Sequence, residues 1–342
     1  MKKWIAMALA LLMTLSLAAC SFAAPEPETE PTTEATTPPT MAPAPEVTKT
    51  IYVLQPENAQ PVGTTITNVT VEVQTYADAA AQLALLEAIA AQGPHDGSVG
   101  VVLAPAGEEI APALDTLLQA NIAYALAESV PAGAGAASVA NVQYDQMQIG
   151  AAMAAYMVEK GMTKSDKVMI IQGLSDAEDL RTQGFKQYLQ GKLAYDGKFI
   201  EKSWSSLKNL VYSDMQGTTQ ESAETYFQTY MDSKDHAATK YIIAWEDTYV
   251  VGVLEALEGA NISESVKKTF LDGKPVMAGV GGGEAMQQLL SGTGYTSIAS
   301  FAQIRSIVYS PNLLADALQA MASYLDGQVV EQDQIQPIQW MN

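Results

Sequence analysis

From residue 50 onward, the sequence alternates short apolar runs with amphipathic segments. Apolar runs of strand length occupy residues 51–55, 69–74, 99–103, 122–126, 139–143, 168–172, 199–204, 241–245, 276–280 and 297–301. Most of them are almost continuously apolar, as in parallel strands that helices cover on both faces. Helical periodicity marks residues 79–91, 146–159 and 311–325, and Asp78 and Asp145 stand at N-cap positions. This alternation predicts an α/β fold with two parallel sheets.

One connection lacks the length for a helix. Only 13 residues separate the first two predicted strands, and they include Pro56, Pro61 and Gly63. A helix that connects parallel strands needs about that many uninterrupted residues. We therefore expect a loop in place of the first crossover helix.

The N-terminus has the pattern of an export signal. Lys2 and Lys3 precede an apolar run at 4–17, which as a helix would rise about 21 Å, less than the roughly 30 Å of a bilayer core. This predicts a signal peptide over 1–19 rather than a membrane span. The run ends in Leu-Ala-Ala-Cys20, which resembles the lipobox of bacterial lipoproteins. The resemblance implies acylation, including palmitate, at Cys20 and anchoring at the extracytoplasmic membrane face. An ordinary cleavage site with an incidental cysteine is the alternative.

Residues 20–49 differ in composition from the rest of the chain. Seven prolines alternate there with Thr and Glu, and few residues could be buried. Such a segment cannot offset the entropy cost of ordering. It is interpreted as a disordered tether.

The charge balance and the metal-binding residues exclude several functions. The chain has 18 Lys and Arg against 38 Asp and Glu, a net charge of −20. Nucleic-acid binding needs a basic surface, so no nucleic-acid partner is expected. With one cysteine and two histidines, the chain cannot form an internal disulfide, and a His/Cys zinc cage is not expected. No Ca²⁺-loop motif is present, and no cofactor or metal is predicted.

Several segments in a fixed order resemble one family. Residues 179–185, Asp-Leu-Arg181-Thr-Gln-Gly184-Phe185, follow a predicted strand, and residues 241–257 form a strand, an acidic pair and a helix. With residues 276–283 and 324–327 they resemble type I periplasmic binding proteins of the ribose- and galactose-binding class. The resemblance implies two Rossmann-like lobes joined by a three-strand hinge. It assigns 50–145 and 301–328 to the N-terminal lobe, and 146–300 and 329–342 to the C-terminal lobe.

The family motif also implies ligand-binding residues in the second lobe. Arg181 matches the arginine of the family motif, although an ion pair with Glu178 or Asp179 would also explain it. Asp247 matches the acidic member of the Asn-Asp pair, with Glu246 in place of the asparagine. A helix N-cap is the alternative for Asp247.

Three further residues complete the implied site. Glu128 stands where a ligand-binding aspartate often follows the fourth strand. Trp204 resembles an aromatic stacking position, and Trp245 ends a strand next to the cleft; a place in the core is the alternative for each tryptophan. Gly281 departs from the pattern, because the family often has an aspartate there.

Two other motifs have weaker parallels. Residues 173–177 follow a strand as a nucleophile elbow does, but the second glycine of that motif is missing. Residues 279–283 follow a strand as a phosphate-binding loop does, but no lysine follows and Glu284 would oppose an anion. A tight turn fits this second segment better.

The resemblance implies a substrate-binding lipoprotein of an ABC importer. Such a protein closes two lobes around a small, sugar-like ligand and is recognised by a membrane permease or sensor. It is not an enzyme. The alternative is a degenerate binding-protein domain that acts as a cell-surface receptor or interaction module without transport.

Overall fold

The computed structural model describes residues 48–57, 59, 61–63, 65–92, 95–213, 215, 217–233, 235–308 and 313–341. The predicted signal peptide, Cys20 and almost all of the predicted tether lie outside the described residues. Val47–Asn342 form one compact unit. Among the helices of the described part, none is both long and apolar enough to cross a membrane.

The described residues form two sheets of six strands each. The strands are β1 (Lys49–Pro56), β2 (Val69–Tyr76), β3 (Val99–Leu103), β4 (Ala123–Ala127), β5 (Asn141–Gln143), β6 (Lys167–Ile171), β7 (Leu210–Tyr212), β8 (Thr239–Ala244), β9 (Val276–Gly281), β10 (Gln303–Val308), β11 (Asp333–Ile335) and β12 (Gln339–Met341). The first sheet has the order β11-β5-β4-β3-β1-β2, and the second has β12-β10-β9-β8-β6-β7. All neighbours pair in parallel except β10 and β12.

Helices cover both faces of each sheet. They are α1 (Ala79–Ala90), α2 (Ala111–Gln119), α3 (Gln146–Glu159), α4 (Asp176–Leu189), α5 (Gln220–Met231), α6 (Asp247–Glu258), α7 (Glu264–Asp272), α8 (Glu284–Leu290), α9 (Thr296–Ala299) and α10 (Leu313–Leu325). In the first sheet, α1 and α2 pack on the face of Leu54 and Leu103, and α10 packs on the face of Val53 and Val102. In the second sheet, α5 and α6 cover the Met169 face, and α3 and α4 cover the opposite face.

The chain passes from one sheet to the other three times. The passages lie between β5 and β6, between β10 and β11, and between β11 and β12. The first two strands pair directly in parallel, and the described residues between them form no helix. Two six-stranded α/β sheets connected in this way confirm the predicted fold class, including the missing crossover helix.

The predicted lobe boundaries differ from the sheets at two places. Strand β10 lies in the second sheet beside β9, although the boundary at 301 assigned it to the first lobe. Strand β11 lies in the first sheet beside β5, although it was assigned to the second lobe. The error began with the predicted strand at 297–301, which is largely helix α9; the strand itself starts at Gln303.

A second predicted strand is also absent from the described residues. Residues 199–204 form turns and irregular structure, and the edge strand β7 occurs instead at Leu210–Tyr212. The apolar side chains of the 199–204 segment cover a cavity beside α3 and do not pair with a sheet. By contrast, Asp78 and Asp145 cap α1 and α3 as predicted, since each carboxylate accepts from a backbone N–H of the first turn.

Candidate functional site

The carboxyl ends of the two sheets adjoin at the first passage between them. Strand β5 ends at Gln143, and α3 begins at Gln146 in the second half of the molecule. The Gln146 Oε1 atom accepts from Arg181 Nε at 2.8 Å. Arg181 in turn donates to the carbonyl oxygen of Trp245, directly after β8. In open α/β sheets, ligands bind outside the carboxyl ends of the strands, so this crevice is the candidate site.

The motif around Arg181 has a clear structural basis. A Cβ atom at Gly184 would clash with the backbone of Met147, and one at Gly150 would clash with the Arg181 carbonyl oxygen. Glycine at both positions therefore lets α3 and α4 pack backbone against backbone. Phe185 packs edge-on to Trp245, with ring centroids 6.3 Å apart. This packing fixes Arg181 at the carboxyl end of β8.

The guanidinium of Arg181 is occupied by protein groups. Its side chain is 4% exposed and forms an ion pair with Glu246 at 2.9 Å, in addition to its bonds with Gln146 and Trp245. Glu178, one of the partners considered from the sequence, instead forms a capping box with Ser175 at the start of α4. Ser175, the central residue of the elbow-like segment, is thus a helix N-cap.

Glu246 is the accessible member of this ion pair. Its side chain is 38% exposed, and it precedes α6 without a side-chain capping bond. Burial raises the pKa of the Glu246 carboxyl group, and the positive charge of Arg181 opposes that rise. The carboxylate therefore carries a charge that its surroundings compensate only in part.

Asp247 holds the turn after β9. The residue is 5% exposed. Its carboxylate accepts from Ser306 Oγ at 2.8 Å, from Gly282 N at 2.6 Å and from Gly283 N at 3.2 Å. Burial raises the pKa of Asp247, and these bonds oppose the rise. Glu246 occupies the N-cap position of α6, so the N-cap alternative for Asp247 is wrong.

The glycine turn after β9 binds the protein's own carboxylate. Gly281 and Gly282 have φ values of 136° and 77°, which bring two successive N–H groups onto Asp247. Successive N–H groups in such a turn form an anion-binding nest. Because Asp247 fills the nest, this segment is a tight turn and not an open phosphate site.

Glu128 comes from the first sheet. It follows β4 with a φ of 70°, and its N–H bonds to the Val142 carbonyl oxygen of β5 at 2.9 Å. A left-handed conformation is strained for glutamate and is frequent at functional sites. The residue is exposed, yet the protein around its carboxyl group removes enough water to raise its pKa. Burial, together with the charge of Glu128, raises the pKa of Tyr76 to about 12.

The two tryptophans do not line this crevice. Trp245 is fully buried, and its Nε1 donates to Thr182 Oγ1 at 2.7 Å, so the core alternative holds. Trp204 lines a cavity of about 770 Å³ with Met162 and Lys164, which connect α3 to the start of β6. That cavity lies at the amino-terminal edge of the second sheet. The structure therefore does not bring Trp204 together with Arg181, Glu246 and Asp247.

Three residues of the site had no sequence signal strong enough to select them. Gln146 positions Arg181, and Ser306 positions Asp247. Gln55 is 5% exposed at the carboxyl end of β1, and its Oε1 atom has no hydrogen-bond partner among the described residues. A polar residue that ends an apolar strand was the available signal for Gln55. Within the described part of the chain, no group of three His, Cys, Asp or Glu could hold a metal ion.

Two lobes of parallel sheet with polar side chains gathered at the strand ends define a two-lobed α/β binding fold. The family model for the periplasmic binding protein domain matches residues 59–328. The chain therefore belongs to the periplasmic binding protein domain family, a family of solute-binding proteins and not of enzymes. Membership implies an extracytoplasmic location. No curated protein sequence matches the chain.

Solved structures of ABC transporter solute-binding proteins share the fold. One from Agrobacterium vitis with bound D-fucose aligns with a TM-score of 0.60 at 15% identity, covering 86% of this chain and 95% of that one. One from Actinobacillus succinogenes with bound D-allose has a TM-score of 0.59 at 16% identity, covering 86% and 97%. One from Bacillus halodurans with bound myo-inositol has a TM-score of 0.58 at 16% identity, covering 87% and 95%.

Proposed function

We propose that this protein is the substrate-binding component of an ABC importer and binds a small, sugar-like ligand in the crevice. The observation that carries the proposal is the series of bonds from Gln146 through Arg181 to Trp245, which links the first passage to the carboxyl end of the second sheet. Family membership and the sugars and inositol bound to proteins of the same fold support the ligand class.

The polar residues have two different roles in this proposal. Glu128 and Glu246 contact the ligand, one from each lobe, because both carboxylates are accessible. Arg181 and Asp247 are positioning residues, because their polar atoms are engaged by the protein. A ligand that bonds to both lobes favours the closed arrangement, which a permease then recognises by population shift.

The anchor is the second part of the proposal. Cys20 is acylated and holds the binding domain at the outer face of the cell membrane through the Pro-rich segment. Replacing Cys20 with Ala should release the protein into the soluble fraction and abolish labelling by a fatty-acid probe. Continued membrane association without label would instead make the apolar run at 4–17 the anchor.

A receptor without transport is the second candidate. Three observations favour it: Arg181 and Asp247 bond to protein groups, and Gly281 stands where the family often has an aspartate. In this case the domain would recognise a partner and would not close on a small molecule.

Thermal unfolding of residues 47–342, the compact unit, tests the choice. The probes are D-fucose, D-allose, myo-inositol and the amino and acidic derivatives of common hexoses. A ligand at 100 times its Kd adds about 2.7 kcal/mol, and a domain of this size gains about 2–4 °C in Tm for each kcal/mol. Phe199→Ala, at the opposite edge of the second sheet, is the control and should keep the shift. No shift with any probe would favour the receptor.

A further inference from the structure

Basic residues are absent from one edge of the sheets. In the described residues of the connections that follow the carboxyl ends of β1 to β10, there is no Lys, Arg or His, and there are seven acidic residues. These are Glu57, Asp78, Glu108, Glu109, Glu128, Asp145 and Glu246. The described residues of the connections that lead into the strands hold seven lysines, and these are matched by eight acidic residues. The lysines are Lys160, Lys164, Lys192, Lys198, Lys202, Lys208 and Lys274, and the acidic residues are Asp96, Asp166, Asp196, Glu201, Asp232, Asp235, Asp326 and Glu331. The ligand crevice thus lies at the acidic edge of both sheets.

Some of these carboxylates are already bonded to the backbone. Asp78 and Asp145 cap α1 and α3, and Glu108 accepts from the Ala132 N–H at 2.7 Å. They offset the partial positive charges of helix ends and backbone N–H groups. The Glu128 carboxylate forms no hydrogen bond or ion pair among the described residues, and Glu246 is the exposed half of its pair. These two carboxylates, one from each sheet, are available to a ligand.

A short series of contacts connects Glu128 to Glu246. The Glu128 N–H bonds to Val142, and Gln146 follows Val142 by four residues, which span at most about 14 Å. Gln146 bonds to Arg181, and Arg181 pairs with Glu246. The two carboxylates therefore border the same passage between the sheets.

A separate observation indicates a ligand that donates hydrogen bonds. The amide oxygen of Gln55, in a residue that is 5% exposed, lies at the carboxyl end of β1 without a partner among the described residues. Buried acceptors are normally paired, and an unpaired one costs free energy. Arg181 donates hydrogen bonds to Gln146, Trp245 and Glu246.

We propose, resting on the function above, that the crevice selects a small polyhydroxylated ligand that carries a protonated amine. Its ammonium group pairs with the Glu128 carboxylate, which has no cationic partner among the described residues. Hydroxyl groups on the same molecule donate to the remaining acceptors. A neutral sugar leaves the Glu128 carboxylate uncompensated, whereas Glu246 keeps its ion pair with Arg181, and an acidic sugar is repelled by both carboxylates.

Calorimetric titration with four compounds that share one ring tests this selection. The compounds are glucosamine, N-acetylglucosamine, glucose and glucuronate, used at about pH 6.5, where ordinary carboxylates are ionised and aliphatic amines are protonated. We expect glucosamine to bind at least about tenfold more tightly than N-acetylglucosamine and glucose, because one charge-assisted hydrogen bond accounts for a difference of that size. Glucuronate should bind most weakly.

Variants and salt separate the charge effect from shape. Glu128→Gln should weaken glucosamine binding about tenfold and weaken glucose binding less, so that the preference for glucosamine over glucose falls. Glu201→Gln, at the lysine-rich edge, is the matched control and should change neither. Raising the ionic strength from about 0.01 M to 1 M shortens the Debye length from about 30 Å to 3 Å. It should therefore weaken the binding of glucosamine and not that of glucose.

The outcomes distinguish this inference from the function on which it rests. Binding of glucose or glucuronate as tight as that of glucosamine would overturn the amine selectivity and leave the binding function standing. If none of the four compounds and none of the wider probe set binds, both the amine selectivity and the binding function are wrong.

Discussion

Polar side chains at the strand ends divide into two groups by what they contact. Arg181 donates to the carbonyl oxygen of Trp245, and Asp247 accepts from the glycine turn after β9. The hydrogen bonds of these two residues therefore stabilise the protein. Glu128 and Glu246 keep accessible oxygen atoms. At the residue scale, a match to a binding motif therefore does not by itself assign a ligand contact.

Replacing Arg181 with Ala should cost folding stability. It would leave the Glu246 carboxylate unpaired, and the Gln146 and Trp245 oxygens would lose their donor. We expect a loss of about 2–4 kcal/mol in the free energy of unfolding, measured by urea denaturation. Arg181→Lys keeps the charge and should recover part of the loss. Full stability of the Ala variant would contradict the positioning role.

The charge of Glu128 should cost stability at neutral pH. Its pKa is raised by burial, so the folded state favours the protonated form. The cost is absent below about pH 4, where folded and unfolded states are both protonated, and it develops as pH rises through the folded-state pKa. Glu128→Gln should therefore unfold at higher urea than the wild type at pH 7, and the difference should vanish at low pH. A difference that is the same at both pH values would exclude the charge as its cause.

At the scale of elements, the contact of α3 with α4 positions the second-lobe side of the site. Gly150 and Gly184 lie at the crossing of the two helices, and each faces backbone of the other helix. This approach places Gln146, at the start of α3, within hydrogen-bond distance of Arg181. Helix packing and the site are thus coupled through two residues without side chains.

An added methyl group at this crossing should be destabilising. Gly184→Ala would push Cβ into the Met147 backbone, which cannot yield by a change of rotamer. We expect a loss of about 3 kcal/mol, by urea denaturation, and weaker ligand binding as Arg181 shifts. Gly63→Ala, where nothing lies within 4 Å, is the control. Equal stability of the two variants would refute the close approach.

Local patterns predicted the elements better than the contacts between them. The strand and helix periodicities, the caps at Asp78 and Asp145 and the missing crossover helix needed only neighbouring residues. The segment 199–204 is apolar enough for a strand, but it covers a cavity. Strand β10 was misplaced because buried Ser306, bonded to Asp247, interrupts its apolar pattern. The ion pair of Arg181 with Glu246 spans 65 residues, and no local pattern encodes it.

At the scale of the whole molecule, the fold distributes its basic residues unevenly. The described connections at the carboxyl ends of the parallel strands β1 to β10 contain acidic residues and no lysine, whereas at the opposite edges lysines offset the acidic residues. A cleft lined with one sign of charge raises the local concentration of oppositely charged solutes. The net charge of −20 is therefore organised, and it favours delivery of cations to the crevice.

Hydrogen exchange with and without ligand tests most directly whether both lobes bind the same molecule. The probe is glucosamine, followed by whichever compound gives the largest thermal shift. We expect one ligand to slow exchange in the connections after β4, β6, β8 and β9 together, and to leave exchange of residues 192–208 unchanged. Protection confined to one sheet, or protection centred on the cavity beside Trp204, would contradict a ligand held between the two lobes.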